Sequence, residues 1–194
     1  FAGGDHDARL NDTRDYGGLF RRTPGDGGWE TITRGLPKNV AARAIAINPN
    51  DPRVIYVGTQ DGPYRSIDSG ASWERPNFPD RDVDIYAMTY HPTRPNVLYA
   101  GAAPVALYRS EDGGDSWKKM PAARAPKNCD MDFPVRVIRM AIDPSRPDDI
   151  YLALEVDGVI GSTDGGETFT DVSGPLIELA KEPHLKSKIG SSMD

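Results

Sequence analysis

Three segments of this chain align without a gap: IAINPNDPRVIYVGT (45–59), MTYHPTRPNVLYAGA (88–102) and MAIDPSRPDDIYLAL (140–154). Each reads as an alternating apolar strand, a Pro-x-x-Pro turn and a second strand carrying a tyrosine. The pairs Pro49/Pro52, Pro92/Pro95 and Pro144/Pro147 lack the amide donors that a central ladder needs, so each marks a turn between strands. Self-similarity of this kind belongs to stacked units, none of which buries its apolar face alone.

A second motif follows each copy: SIDSGASW (66–73), SEDGGDSW (110–117) and STDGGETF (162–169). A degenerate copy, RTPGDGGW (22–29), has Pro24 where the others have Asp. Trp29, Trp73 and Trp117 stand 44 residues apart, and Phe169 follows after 52. A period near 44 suits one four-stranded propeller blade. The Asp side chain can accept amides of its own turn, the glycines supply backbone angles that other residues resist, and the aromatic ring wedges into the apolar layer. A residue repeated in every unit is a fold element. Asp68, Gly70 and Trp73, Asp112, Gly114 and Trp117, and Asp164, Gly166 and Phe169 are therefore assigned structural rather than catalytic roles.

Together with the Tyr-x-Gly strands (56–58 and 99–101) and the Tyr-Arg-Ser strands (64–66 and 108–110), this motif resembles the Asp-box, or BNR, repeat. The resemblance covers roughly residues 1–172. Sialidases, xyloglucanases, the sortilin ectodomain and photosystem assembly factors carry such repeats, and the style here is nearest to the last three. It implies an all-β propeller of four-stranded antiparallel blades and says little about function, because one fold hosts many activities. It also favours an exported protein.

The alignment predicts a partial blade over 1–33 and blades over 40–76, 84–120 and 136–172, with 173–194 a tail or the start of a further blade. Phe1-Ala2-Gly3-Gly4 matches the second strand of a blade, so the first blade lacks its innermost strand. About four blades leave open faces. A longer or cleaved polypeptide, two chains sharing one ring, and a small four-bladed ring are the three ways to cover them. The remainder of a propeller is thus the first expected partner.

Composition narrows the rest. The chain has 20 Gly and 17 Pro spread between short apolar runs, which fits a turn-rich β protein. A net charge of −6 argues against nucleic acid or an anionic membrane surface. No apolar stretch approaches the roughly 20 residues of a membrane span. Phe1 opens no signal peptide, although a processed N-terminus would look the same. One cysteine, Cys129, excludes an internal disulfide.

The Pro turns and Asp hairpins fall on one face of a propeller and are uniform, whereas the insertions fall on the other. Three loops there are dense in ionisable groups: Asp5, His6 and Asp7; Asp80, Arg81, Asp82 and Asp84; and Asp130, Asp132 and Arg136. Arg139 replaces an inner-strand alanine, where it meets an anion in the central channel or bonds a neighbouring loop. His91 stands where other repeats have Asn48 and Asp143, and reads as turn chemistry. Asp5, His6 and Asp7 can in principle ligate a metal or form an acid–base pair, but adjacent residues alternate faces in a strand and seldom share one ion, so the cofactor is left unknown and none is expected.

Loops on a rigid scaffold are where binding concentrates. The first functional expectation is a binding or scaffold module for a protein or carbohydrate ligand. The second is a glycoside hydrolase using two carboxylates, with Asp82 and Asp132 the candidate pair. A metal-assisted or other propeller enzyme is the third. A sialidase is disfavoured because the Arg-Ile-Pro motif is absent.

Overall fold

The computed structural model describes residues 2–4, 18–25, 27–128, 132–180 and 182. The first blade comprises β1 (Ala2–Gly4), β2 (Gly18–Arg21) and β3 (Glu30–Thr31). The second comprises β4 (Ala42–Ile47), β5 (Ile55–Thr59) and β6 (Gly62–Ser66). The third runs β7 (Asp84–Tyr90), β8 (Leu98–Ala103), β9 (Ala106–Ser110) and β10 (Lys118–Met120). The fourth runs β11 (Val137–Ile142), β12 (Ile150–Leu154), β13 (Gly158–Ser162) and β14 (Thr170–Asp171). Within every sheet, neighbours in space are neighbours in sequence and all pairs are antiparallel. These are the blades of a partial β-propeller.

One blade departs from the four strands expected of it. In the second blade the outermost strand shrinks to one bridge, in which Arg65 and Glu74 exchange two 2.8 Å backbone bonds. Pro76 has no amide to continue that ladder, whereas Met120 at the matching place lets β10 reach three residues. After the fourth blade the chain forms α1 (Gly174–Ala180), started by Pro175 and filled with Leu, Ile, Glu and Ala. No residue of α1 is buried, and Leu176, Ile177 and Leu179 face solvent.

The three Asp hairpins are built alike. Ser66 Oγ accepts the Gly70 amide at 2.8 Å and donates to Asp68, whose Oδ1 accepts the Ser72 amide at 2.9 Å. Ser110–Asp112–Ser116 and Ser162–Asp164–Thr168 repeat this arrangement. Gly70, Gly114 and Gly166 have φ of 88°, 94° and 94°, the left-handed region that a side chain resists. In the Pro turns Asn48 Oδ1, His91 Nδ1 and Asp143 Oδ1 each accept the amides two and three residues on. His91 therefore acts in the turn, as its position predicts.

The cores lie between blades. One apolar cluster joins blades 1 and 2, a second joins 2 and 3, and a third joins 3 and 4. Burying a side chain such as Ile85 or Leu152 there contributes about 1.5–3 kcal/mol, so a blade is stable chiefly through its neighbours. The uncovered ends show the same dependence. Trp73 and Trp117 are 5% and 8% exposed against the preceding blade, while Trp29 at the leading end is 58% exposed. Tyr56 and Tyr99 are fully buried beneath the following blade, while Tyr151 at the trailing end is 37% exposed.

Candidate functional site

Each innermost strand carries a β-bulge near its start, at the end where the loops enter: between Ala42 and Ala44, Ile85 and Ala87, and Val137 and Arg139. The residues inside the bulges are Arg43, Tyr86 and Ile138. A bulge leaves one residue out of the ladder and re-aims it, which is why bulges gather beside sites. Because β4, β7 and β11 lie side by side, the three bulges form one row on the loop-rich face.

Two guanidiniums converge on the middle of that row, one from each flanking blade. Arg43 lies 4.5 Å and Arg136 4.8 Å from the Tyr86 ring centroid. Arg43 Nε donates to Asp84 at 2.7 Å, Arg136 Nη1 donates to the Tyr86 hydroxyl at 2.7 Å, and Arg136 Nε also bonds Glu155. Burial, with Asp84 nearby, pushes the Tyr86 hydroxyl pKa up, so it stays protonated. At the edge Phe133, 37% exposed, approaches Arg136 at 5.8 Å. The row thus offers fixed donors, fixed carboxylate acceptors and one accessible aromatic ring.

A groove of about 450 Å³ opens on the same face, lined by Asp80, Arg81, Asp82, the Ala103–Ala106 hairpin, Tyr108 and Lys119. Asp80 is spent on structure: Tyr108 donates to it at 2.6 Å and Lys119 at 2.7 Å, with the lysine the larger cause of its lowered pKa. Arg81 and Asp82 are exposed on the rim, and Asp82 takes a left-handed φ of 53°. Asp132 is exposed beside Phe133 and is not among the residues that line this groove.

Of the other residues proposed from sequence, Asp84 and Arg136 belong to the row, whereas Asp5, His6, Asp7 and Asp130 lie outside the described residues. Arg139 is in neither of its expected places. Its counterparts Ala44 and Ala87 pack against the following blade, so it sits on the open trailing face of blade 4. Among the described residues no cluster of three His, Cys, Asp or Glu is placed to hold a metal, and no helix is long and apolar enough to cross a membrane.

Arg43, Tyr86, Phe133 and Glu155 escaped the sequence reading. One signal was present: the aligned strands put Arg43, Tyr86 and Ile138 in a single column that varies while its neighbours repeat. Asp157 was also missed. It is buried and accepts the amides of Lys127 and Asn128 at 3.1 and 2.6 Å, pinning the long loop before blade 4 to the β12–β13 hairpin.

No family model matches the chain. Xyloglucanase Xgh74A of Acetivibrio thermocellus is 30% identical over 139 residues, which cover 54% of this chain and 16% of that relative. Among solved structures, an ancestral GH74 enzyme aligns with a TM-score of 0.67 and 24% identity, over 81% of this chain and 21% of the other. YCF48 bound to a D1 peptide aligns at 0.54 and 18%, over 71% and 42%. This chain spans about a sixth of the length of the xyloglucanases it matches. Such partial coverage of larger propeller proteins fits one portion of a larger ring.

Proposed function

With the chain a run of Asp-box propeller blades, we propose that its loop-rich face binds a polysaccharide of the xyloglucan kind, as one part of a larger xyloglucanase-like protein. The observation that carries this is the row Arg43–Tyr86–Arg136 with Phe133 at its edge. Sugar rings present hydroxyls around their rim and C–H groups on their faces. Paired arginines and carboxylates suit the rim, and an exposed aromatic suits a face. Both guanidiniums are held by Tyr86 and an acid before any ligand arrives, so binding orders few side chains. The relative matched in sequence, Xgh74A, is a xyloglucanase, which supports a polysaccharide ligand.

Electrophoresis through a gel containing xyloglucan tests the proposal. The protein is expected to be retarded, and Phe133→Ala to be retarded less. Equal migration with and without the polysaccharide sinks the reading. Cleavage is a separate question for the whole polypeptide. Asp82 is the exposed carboxylate on the groove rim, so Asp82→Asn and Asp132→Asn are the variants to assay for reducing-end release.

A further inference from the structure

Each of the first three blades is fastened to its successor by side chains in matching positions. From the third strand an arginine reaches the next hairpin. Arg21 donates to Ser69 O at 2.6 Å, Arg65 to Asp115 at 2.6 Å and Arg109 to Glu167 at 3.3 Å. From the second strand a tyrosine does the same, Tyr56 to Gly113 O and Tyr99 to Gly165 O. Beside it a glycine admits the next inner strand. A Cβ on Gly58 would lie 2.7 Å from Ile85 Cγ2, and one on Gly101 2.6 Å from Val137 Cγ1. An inner-strand alanine completes the set, Ala44 in the cluster holding Met88 and Ala87 in the cluster that Met140 packs against.

Blade 4 keeps the tyrosine as Tyr151 and changes the other three. Gly161 stands in the arginine position, Ala153 in the glycine position and Arg139 in the alanine position. Arg139, Ala141, Tyr151 and Val172 are exposed on this face, and among the described residues no hydrogen bond or ion pair engages Arg139. A blade of the usual kind would bring a β-branched residue onto the Cβ of Ala153. It would also bring a methionine onto Arg139, burying an unpaired guanidinium among apolar groups, which is strongly unfavourable. It would receive no arginine from the third strand.

We propose that the trailing face of blade 4 is a specialised junction whose occupant is a β-sheet with a carboxylate opposite Arg139. That acid stands where Met88 and Met140 stand in blades 3 and 4, with a glycine, alanine or serine where Ile85 and Val137 stand. Charge complementarity selects the acid. The equivalent faces of blades 2 and 3, both covered by a sheet, select the architecture.

Thermal melts of the native polypeptide, in the form its host makes, carrying Arg139→Met or Arg139→Lys, test this. A carboxylate deprived of its guanidinium is left buried and charged, and protonating it relieves the loss. Arg139→Met is expected to lower Tm by several degrees near neutrality and by far less at a pH close to the carboxylate range, while Arg139→Lys keeps most of the stability. An unchanged or raised Tm, as an open face or an apolar occupant gives, overturns the proposal. So does a loss of equal size at both pH values. Benzoylphenylalanine in place of Ala141 supplies an independent reading by cross-linking. The captured strand must carry Asp or Glu, and capture of one without it, from a regular blade or from a second copy of this chain, overturns the proposal.

Discussion

The hydroxyl of Tyr56 donates a 2.8 Å hydrogen bond to the carbonyl of Gly113, in the hairpin of the next blade. Tyr99 repeats the contact one blade on, reaching Gly165 O at 3.3 Å. A tyrosine of the second strand thus ties its sheet to the hairpin of the next blade, alongside the arginine of the third strand.

Removing one hydroxyl takes the donor from a carbonyl that is half-buried at Gly113 and buried at Gly165, at a cost of about 0.5–1.5 kcal/mol. Tyr56→Phe is expected to lose stability within that range and Tyr99→Phe less, since its bond is longer. Urea unfolding with an unchanged m-value is the check. Equal stability of Tyr56→Phe and the wild type refutes the role.

Gly101 tests the spacing between blades. A methyl group there meets Val137 Cγ1 at 2.6 Å, closer than packed carbons allow. Gly101→Ala is expected to cost about 1–3 kcal/mol through overpacking. Shortening the opposing side chain in the double variant Gly101→Ala/Val137→Ala should return part of it. Additive losses in that cycle would show that the two residues do not share the contact.

The repeat made the fold legible because it is written in residues with strong local consequences. Pro49 and Pro52 stop a ladder wherever they occur, and Ser66, Asp68 and Gly70 close a hairpin from their own atoms. The site was less legible because it is assembled across blades. Arg43 and Arg136 lie 93 residues apart and meet on Tyr86, whose exit from the ladder depends on a bulge rather than on its side chain. Arg139 was misplaced for a related reason. Its identity suggested a channel, but the face it occupies is set by strand register, in which Arg139 pairs with Ala153. Asp80 looked like a binding group, yet its partners Tyr108 and Lys119 come from strands that the sequence could not place against it.

Acid should weaken the hairpins. The hydroxyls of Ser72, Ser116 and Thr168, then the amides of the same residues, hold Asp68, Asp112 and Asp164 at a pKa of about 2. The unfolded carboxylates titrate near 3.9. Folded values below unfolded ones mean that this stability is complete above about pH 4 and is lost as pH falls through about 2. The urea midpoint is expected to drop steeply across that window. Asp112→Asn should lower stability at neutral pH and flatten the acid limb, and an unaltered limb would assign acid unfolding to other groups.

His91 adds a second, milder window. It is buried, and that burial first, then Arg94, lowers its pKa below the ordinary 6.5. The folded state therefore favours the neutral ring. Its contribution is complete above about pH 6.5 and declines as pH falls through the folded value. His91→Asn keeps a turn acceptor, as Asn48 does, without titrating in this range. Its Tm should vary less between mildly acidic and neutral pH than that of the wild type, and equal variation counts against the histidine.

The row on the loop-rich face separates a binding role from a packing role. Phe133 is exposed, so Phe133→Ala should leave Tm within a degree or two while weakening retention by xyloglucan. Arg136→Ala removes the partner of Tyr86, Glu155 and Phe133 together, so both Tm and retention should fall. Tyr86→Phe keeps the ring beneath the guanidiniums and loses one hydrogen bond, which predicts an intermediate loss of retention. Affinity electrophoresis and thermal melts on the same three variants give the order. If retention follows Tm across all three, with Phe133→Ala retained like the wild type, the row is part of the scaffold and the polysaccharide lies elsewhere.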